Sequence, residues 1–160
     1  MIVREACRAD ASAIRLVVAA AFGRPDEAAI VDQVRAADEA LAEFVAEIDG
    51  EIAGHALFNR MKCRPPMLVA GLGPLAVAPA FQGRGIGSAL VRSGLGACRQ
   101  LGARACVVLG APAYYGRLGF TSAGGAIESK YSHLPAFQAL ALEDGALSTP
   151  FSIAYPDAVD

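Results

Sequence analysis

The chain has 160 residues, which suits a single domain spanning residues 1–160. Apolar residues make up 54% of it, enough for a sizeable core and too many for a disordered chain. With 14 lysines and arginines against 16 aspartates and glutamates, the net charge of −2 argues against a chain-wide basic surface for nucleic acid.

Neither a membrane segment nor a metal centre is expected. The longest purely apolar run, Leu16 to Phe22, is far shorter than the roughly 18–20 residues of a membrane-spanning helix. The first residues lack a basic stretch followed by an apolar one, so no signal peptide is expected. The four cysteines form no CxxC pair and the two histidines lie far apart. We therefore expect a cytoplasmic protein with free thiols.

The N-terminal half predicts a strand, two helices and a hairpin. The strand covers Ile2 to Ala6, and Asp10 is the expected N-cap of a helix that ends near Gly23. A second helix begins near Pro25. Asp49-Gly50 then predicts a tight turn into a strand that runs from Ile52 to Phe58.

The C-terminal half predicts four further strands and two helices. Met67 to Val77 is apolar but contains Pro74, where a strand should bulge, splay or lie at a sheet edge. The remaining predicted elements are a helix over Gly85 to Leu101, a strand over Ala105 to Leu109, a short helix from Pro112 to Gly119, and strands over Phe137 to Leu142 and Pro150 to Tyr155, joined by a turn at Glu143-Asp144-Gly145. The order βααβββαβαββ indicates an α/β (α+β) fold, a mixed sheet with helices packed on it.

The segment from Leu75 to Ser88 is the most informative about chemistry. A strand leads into a turn with glycines at 83, 85 and 87, whose N–H groups can point into one concavity. The helix that follows adds its positive N-terminal end, so the turn predicts a cradle for a phosphate or pyrophosphate. Neither G-x-G-x-x-G nor G-K-[ST] is present, and these residues alone leave the kind of phosphate ligand open.

Two motifs in this half resemble those of a known family. The pattern Q-x-x-G-x-G, occupied by Gln82, Gly85 and Gly87, resembles the acetyl-CoA site of GNAT superfamily N-acetyltransferases. After the next strand, Ala113-Tyr114-Tyr115-Gly116-Arg117-Leu118-Gly119-Phe120 is similar to the family's F-Y-x-x-x-G-F segment, in a form that resembles one bacterial branch. The opening Val3-Arg4-Glu5-Ala6 also matches the family's usual start.

The resemblance implies a GNAT-like mixed central sheet with a splayed strand, and an acyltransferase. The implied reaction moves the acetyl group of acetyl-CoA, without a metal, to a primary amine of a small molecule or peptide by direct attack in a ternary complex. Tyr115 matches the general acid that protonates the departing thiolate, and Tyr114 matches a packing aromatic. The implied cofactor-binding residues are Leu75, Ala76 and Val77 along the pantetheine arm, and Gln82, Gly83, Arg84, Gly85, Ile86, Gly87 and Ser88 around the pyrophosphate.

The sequence departs from the family pattern at two points. Val108 stands where many members have an asparagine, so that cofactor contact is not carried over. The strand before the turn contains no carboxylate or histidine, which leaves His55, Asp26, Glu27 or a chain of water molecules as the general base. This gap supports an alternative, an acyl-CoA-binding regulatory module without efficient catalysis. The amine acceptor, the strictness for acetyl and a homodimer are left open, and neither nucleic acid nor a membrane is expected as a partner.

Overall fold

The computed structural model describes residues 1–123 and 125–160. Short 3-10 turns at Arg8–Asp10 and Pro79–Phe81 precede the first and third helices. The regular elements are β1 (Ile2–Glu5), α1 (Ala11–Phe22), α2 (Asp26–Ala36), β2 (Ala40–Ile48), β3 (Glu51–Arg60), β4 (Lys62–Arg64), β5 (Val69–Val77), α3 (Ile86–Gln100), β6 (Ala105–Leu109), α4 (Pro112–Gly116), β7 (Thr121–Ser122), β8 (Ile127–Glu128), β9 (Phe137–Ala141) and β10 (Phe151–Ala154).

Seven strands form the main sheet, in the order β1-β2-β3-β5-β6-β9-β7. All neighbours are antiparallel except β5 and β6, which run parallel because α3 crosses between them. A second sheet of three strands has the order β4-β10-β8. The mixed α/β fold expected from the sequence is confirmed, with three short strands, β4, β7 and β8, added to the predicted order.

Helices cover both faces of the main sheet. On one face, α1 and α2 bury Ile14, Val18 and Val31 against side chains of β2, β3 and β5. On the other face, α3 packs so closely on β3 that a Cβ at Gly94 would lie 1.9 Å from Cε1 of Phe58. Gly94 therefore costs helix propensity but permits this approach, whereas a Cβ at Gly96 would meet only open space.

The main sheet opens at Pro74. Strand β5 pairs with β6 only from Val69 to Leu72 and thereafter pairs with β3 alone, whose register with β5 shifts between Ala56 and Phe58. The splay predicted from Pro74 is thus present, and it leaves a gap between the C-terminal ends of β5 and β6.

Asp10 stands at the N-cap position of α1, as expected, but its side chain does not cap the helix, because its carboxylate accepts hydrogen bonds from the Arg4 guanidinium at 2.8 and 2.9 Å and from the Cys7 N–H at 2.8 Å. The last predicted strand is present as β10, but it belongs to the second sheet, between β4 and β8, rather than to the main sheet. Strands of two or three residues carry too little alternation to be detected in a sequence.

None of the helices in the described ranges is long and apolar enough to cross a membrane.

Candidate active site

A cavity of about 560 Å³ lies where β5 ends and α3 begins. Of the ten residues expected to bind the cofactor, all but Ala76 and Arg84 line it. We call this cavity the cradle. Ala76 is buried in the core beneath α1, and the Arg84 guanidinium lies 5.4 Å from the centre of the Phe81 ring.

The shape of the cradle follows from backbone geometry. Gly83 and Gly85 have φ values of +78° and +79°, which side chains disfavour, and the chain can turn there directly into α3. The first amide N–H groups of α3 have no acceptor within the helix, and no described side chain caps them. The side chain of Gln82 donates to the Val77 carbonyl at 3.0 Å, tying the turn to the end of β5. Free N–H donors at a helix N-terminus suit an anionic phosphate group.

Three further polar side chains line the cradle, and the sequence motifs did not indicate them as binding residues. Arg92 follows Ser88 by four positions on α3, a spacing that places both on one face of the helix and could have indicated it. Arg117 lies across the cavity with its guanidinium 5.8 Å from the centre of the Tyr114 ring. The Tyr114 hydroxyl is 3.2 Å from Oγ of Ser88, and a Cβ at Gly87 would lie 2.8 Å from that hydroxyl. Tyr114 therefore lines the cradle and also packs against the Tyr115 ring.

A second cavity, of about 410 Å³, shares one described lining residue, Leu75, with the cradle. We call it the side cavity. It occupies the gap between the diverging ends of β5 and β6, and Phe22, Glu27 and Ile30 line it from the α1 and α2 side.

Tyr115 lines the side cavity rather than the cradle. Its ring packs edge-to-face against Tyr114 and Phe120, with centroids 4.9 and 5.7 Å away. Gly110 makes room for the ring, since a Cβ there would lie 2.3 Å from Cε2 of Tyr115. Burial raises the pKa of Tyr115 to about 12, so its hydroxyl keeps its proton at neutral pH.

The candidate bases are separated by the fold. His55 is fully buried on β3, with Nε2 2.6 Å from Oε2 of Glu43, and it lines neither cavity. Asp26 also lies outside the lining of both cavities. Glu27 lines the side cavity, where its carboxylate accepts hydrogen bonds from Arg24 at 2.6 and 2.9 Å. This guanidinium holds the pKa of Glu27 below its usual value.

Comparison with known proteins matches this geometry to one family. Residues 11–120 match the pattern described as the Acetyltransferase (GNAT) family. The uncharacterized N-acetyltransferase YjhQ of Escherichia coli K12 is 37% identical over 123 residues, covering 74% of this chain and 68% of YjhQ.

Solved structures show the same fold over nearly the whole chain. A GNAT family acetyltransferase from Brucella melitensis, in complex with acetyl-CoA, is 38% identical with a TM-score of 0.84, covering 99% of this chain and 97% of that one. The GNAT family N-acetyltransferase YhbS from Escherichia coli, in complex with CoA, is 29% identical with a TM-score of 0.92, covering 99% of this chain and 91% of that one.

The fold, the cradle and these matches define an acetyl-CoA-dependent acyltransferase. The chain belongs to the GNAT family of acetyltransferases, as its two motifs suggested. Among the described residues, no group of three histidine, cysteine, aspartate or glutamate side chains could hold a metal ion.

Proposed function

We propose that this acetyltransferase moves the acetyl group of acetyl-CoA to a primary amine that attacks directly in a ternary complex. The proposal includes a single domain over residues 1–160. It also places the protein in the cytoplasm. The observation that carries the proposal is the position of Leu75, because it borders both the cradle and the side cavity. A donor bound in the cradle and an acceptor bound in the side cavity would therefore both contact this residue.

The cradle holds the phosphates of the donor. The amide N–H groups at Gly83, Gly85 and the first turn of α3 supply most of the donors, and Arg92 and Arg117 add positive charge. The pantetheine arm follows the edge of β5 from Leu75 to Val77, which has no strand partner on the β6 side in the described chain. An N–H on that edge is placed to stabilise negative charge on the acetyl oxygen.

Tyr115 is the general acid. The amine nitrogen forms a bond to the acetyl carbon, the carbon–sulfur bond breaks, and the Tyr115 hydroxyl donates its proton to the departing sulfur. Its pKa, raised to about 12, keeps the hydroxyl protonated before the carbon–sulfur bond breaks. The phenolate then regains a proton from solvent, and the protons lost by nitrogen leave to solvent, so the products are an N-acetyl amide and free coenzyme A.

Water is the proposed acceptor of the proton that the amine loses before attack. A free alkylamine has a pKa of about 10.4, so most of it arrives as the ammonium. His55 is bonded to Glu43 beneath α1, away from both cavities, and Glu27 is a weak base because Arg24 lowers its pKa. A chain of water molecules along the side cavity meets the need without a dedicated side chain.

The test combines binding with turnover. Calorimetry measures the affinity for coenzyme A, and release of free thiol from acetyl-CoA is followed over a panel of primary amines. We expect coenzyme A to bind and at least one amine to release thiol and yield its N-acetyl product. Tight binding without transfer to any amine would instead favour the acyl-CoA-binding regulatory module.

A further inference from the structure

The side cavity differs in chemistry from the cradle. Its walls are mostly apolar, with Leu72, Pro74 and Leu75 from β5, Val108 and Leu109 from β6, and Phe22, Ile30 and Val159 across from them. At about 410 Å³ it has room for a small molecule but not for a folded partner. An occupant therefore gains most of its affinity by burying hydrocarbon.

Glu27 is the single charged side chain among the described residues that line this cavity. Its side chain is only 15% exposed, while that of its partner Arg24 is 60% exposed. Arg24 occupies one hydrogen-bonding site on each carboxylate oxygen. A carboxylate has about four such sites, so lone pairs remain for a second donor.

The charges of the two cavities are opposite. Arg92 and Arg117 line the cradle, where an anionic donor fits, whereas the side cavity offers a carboxylate and no positive side chain among its described lining residues. A positively charged, mostly apolar molecule complements the side cavity on both counts. An acidic molecule would be repelled by the Glu27 carboxylate, and a highly polar one would lose its hydration against the apolar walls.

We infer that the acetyl acceptor is a small primary amine with an alkyl or aryl body, whose ammonium pairs with the Glu27 carboxylate while its body packs on the walls of the side cavity. This inference rests on the proposed acetyl transfer for its place in the reaction. Glu27 serves as a recognition and positioning residue, and the amine loses its proton to water before it attacks.

The first experiment measures binding directly, without turnover. Calorimetry with n-butylamine, n-pentylamine and n-hexylamine is run on the protein alone and with coenzyme A present. We expect the affinity to rise about two- to fourfold per added methylene, up to the fourfold set by full burial. An affinity that is flat along the series, or spermidine binding more tightly than n-hexylamine, overturns the inference.

The second experiment isolates the role of the charge. Glu27→Gln should weaken binding of n-hexylamine about five- to tenfold and leave binding of n-hexanol, which has the same hydrocarbon body, unchanged. Equal losses for the amine and the alcohol would mean a purely structural role and overturn the assignment. Glu143→Gln, which removes an exposed carboxylate paired with Arg104 outside both cavities, is the matched control and should change neither.

Binding and transfer can fail separately. Amines that bind with the expected chain-length and Glu27 dependence but are never acetylated would support the side cavity as a site for apolar amines and refute the proposed transfer. Acetylation of hydrophilic amines in preference to apolar ones would refute the inference and support the transfer.

Discussion

The cradle and the side cavity share one described residue, Leu75, yet they are built in different ways. Ten of the thirteen described residues that line the cradle come from the continuous stretch 75–92, and its donors are largely backbone N–H groups. The side cavity draws side chains from the ends of α1 and α2, from two diverging strands and from Val159. Backbone recognition suits a donor common to a whole family, whereas side-chain recognition can differ from one member to the next.

Because the two cavities are distinct, substitutions should separate donor binding from chemistry. The largest expected effect is the loss of kcat on substitution of Tyr115, which lines the side cavity. Tyr115→Phe should lower kcat about 10²- to 10⁴-fold, because the acid is lost, with little change in the calorimetric affinity for coenzyme A. Weaker coenzyme A binding with unchanged kcat would place Tyr115 functionally in the cradle.

The proposed role of Tyr115 also predicts how kcat depends on pH. Burial raises its pKa to about 12, so the acid form persists and wild-type kcat should show no loss from this group below about pH 11. Tyr131→Phe is the control, since Tyr131 bonds Asp160 outside both cavities, and its kcat should match wild type at every pH.

The helix behind the cradle offers a matched pair of glycines. Gly94→Ala forces a methyl group against Phe58 and should lower the free energy of unfolding by about 1–3 kcal/mol. Gly96→Ala meets open space and should raise it by about 0.5–1 kcal/mol, because glycine is a poor helix former. Urea unfolding measures both. Similar effects of the two substitutions would show that α3 does not pack on β3 as described.

Charge in the cradle should affect the donor alone. Arg117→Gln should weaken coenzyme A binding about tenfold, since a charge-assisted contact to phosphate is lost, and should leave the affinity for amines unchanged. Arg84→Gln is the comparison, because Arg84 lies against Phe81 outside the cavity and should have a much smaller effect. The reverse ranking would instead favour Arg84 as the phosphate ligand, as the family resemblance implies.

The smallest effect concerns the ion pair between Arg4 of β1 and Asp10, directly before α1. The Arg4 guanidinium holds the pKa of Asp10 well below its usual range, so this carboxylate stabilises the fold above about pH 4 and the contribution fades as pH falls further. Asp10→Asn should therefore lower Tm by a few degrees at pH 7, and the gap to wild type should shrink towards pH 3. Glu143→Gln, in an exposed pair, should change Tm little at either pH. A difference in Tm between Asp10→Asn and wild type that stays constant from pH 7 to pH 3 would show that the charge of Asp10 does not stabilise the fold.

The cradle could be predicted from the sequence better than the side cavity, because one is built from local backbone conformation and the other from the packing of distant elements. A left-handed turn at Gly83 and Gly85 and a splay at Pro74 leave local signatures, because only certain residues tolerate those conformations. The approach of Glu27 to the gap leaves none, since it depends on how α2 packs far along the chain. Asp10 shows a third case, in which a good local capping residue is taken by the distant Arg4. The role of Tyr115 as the acid came from resemblance and stays a prediction.

The splay also bears on cooperativity of the fold. Within the described part of the main sheet, only the four residue pairs between Val69–Leu72 and Ala105–Val108 join the first four strands to the last three. A molecule bound along the open edge of β5 would supply the missing cross-connection between these two half-sheets. Ligand at 100 times its Kd adds about 2.7 kcal/mol to the free energy of unfolding. Amide hydrogen exchange should then slow at Leu75 and Val77, and also in β6 and β9 beyond the gap.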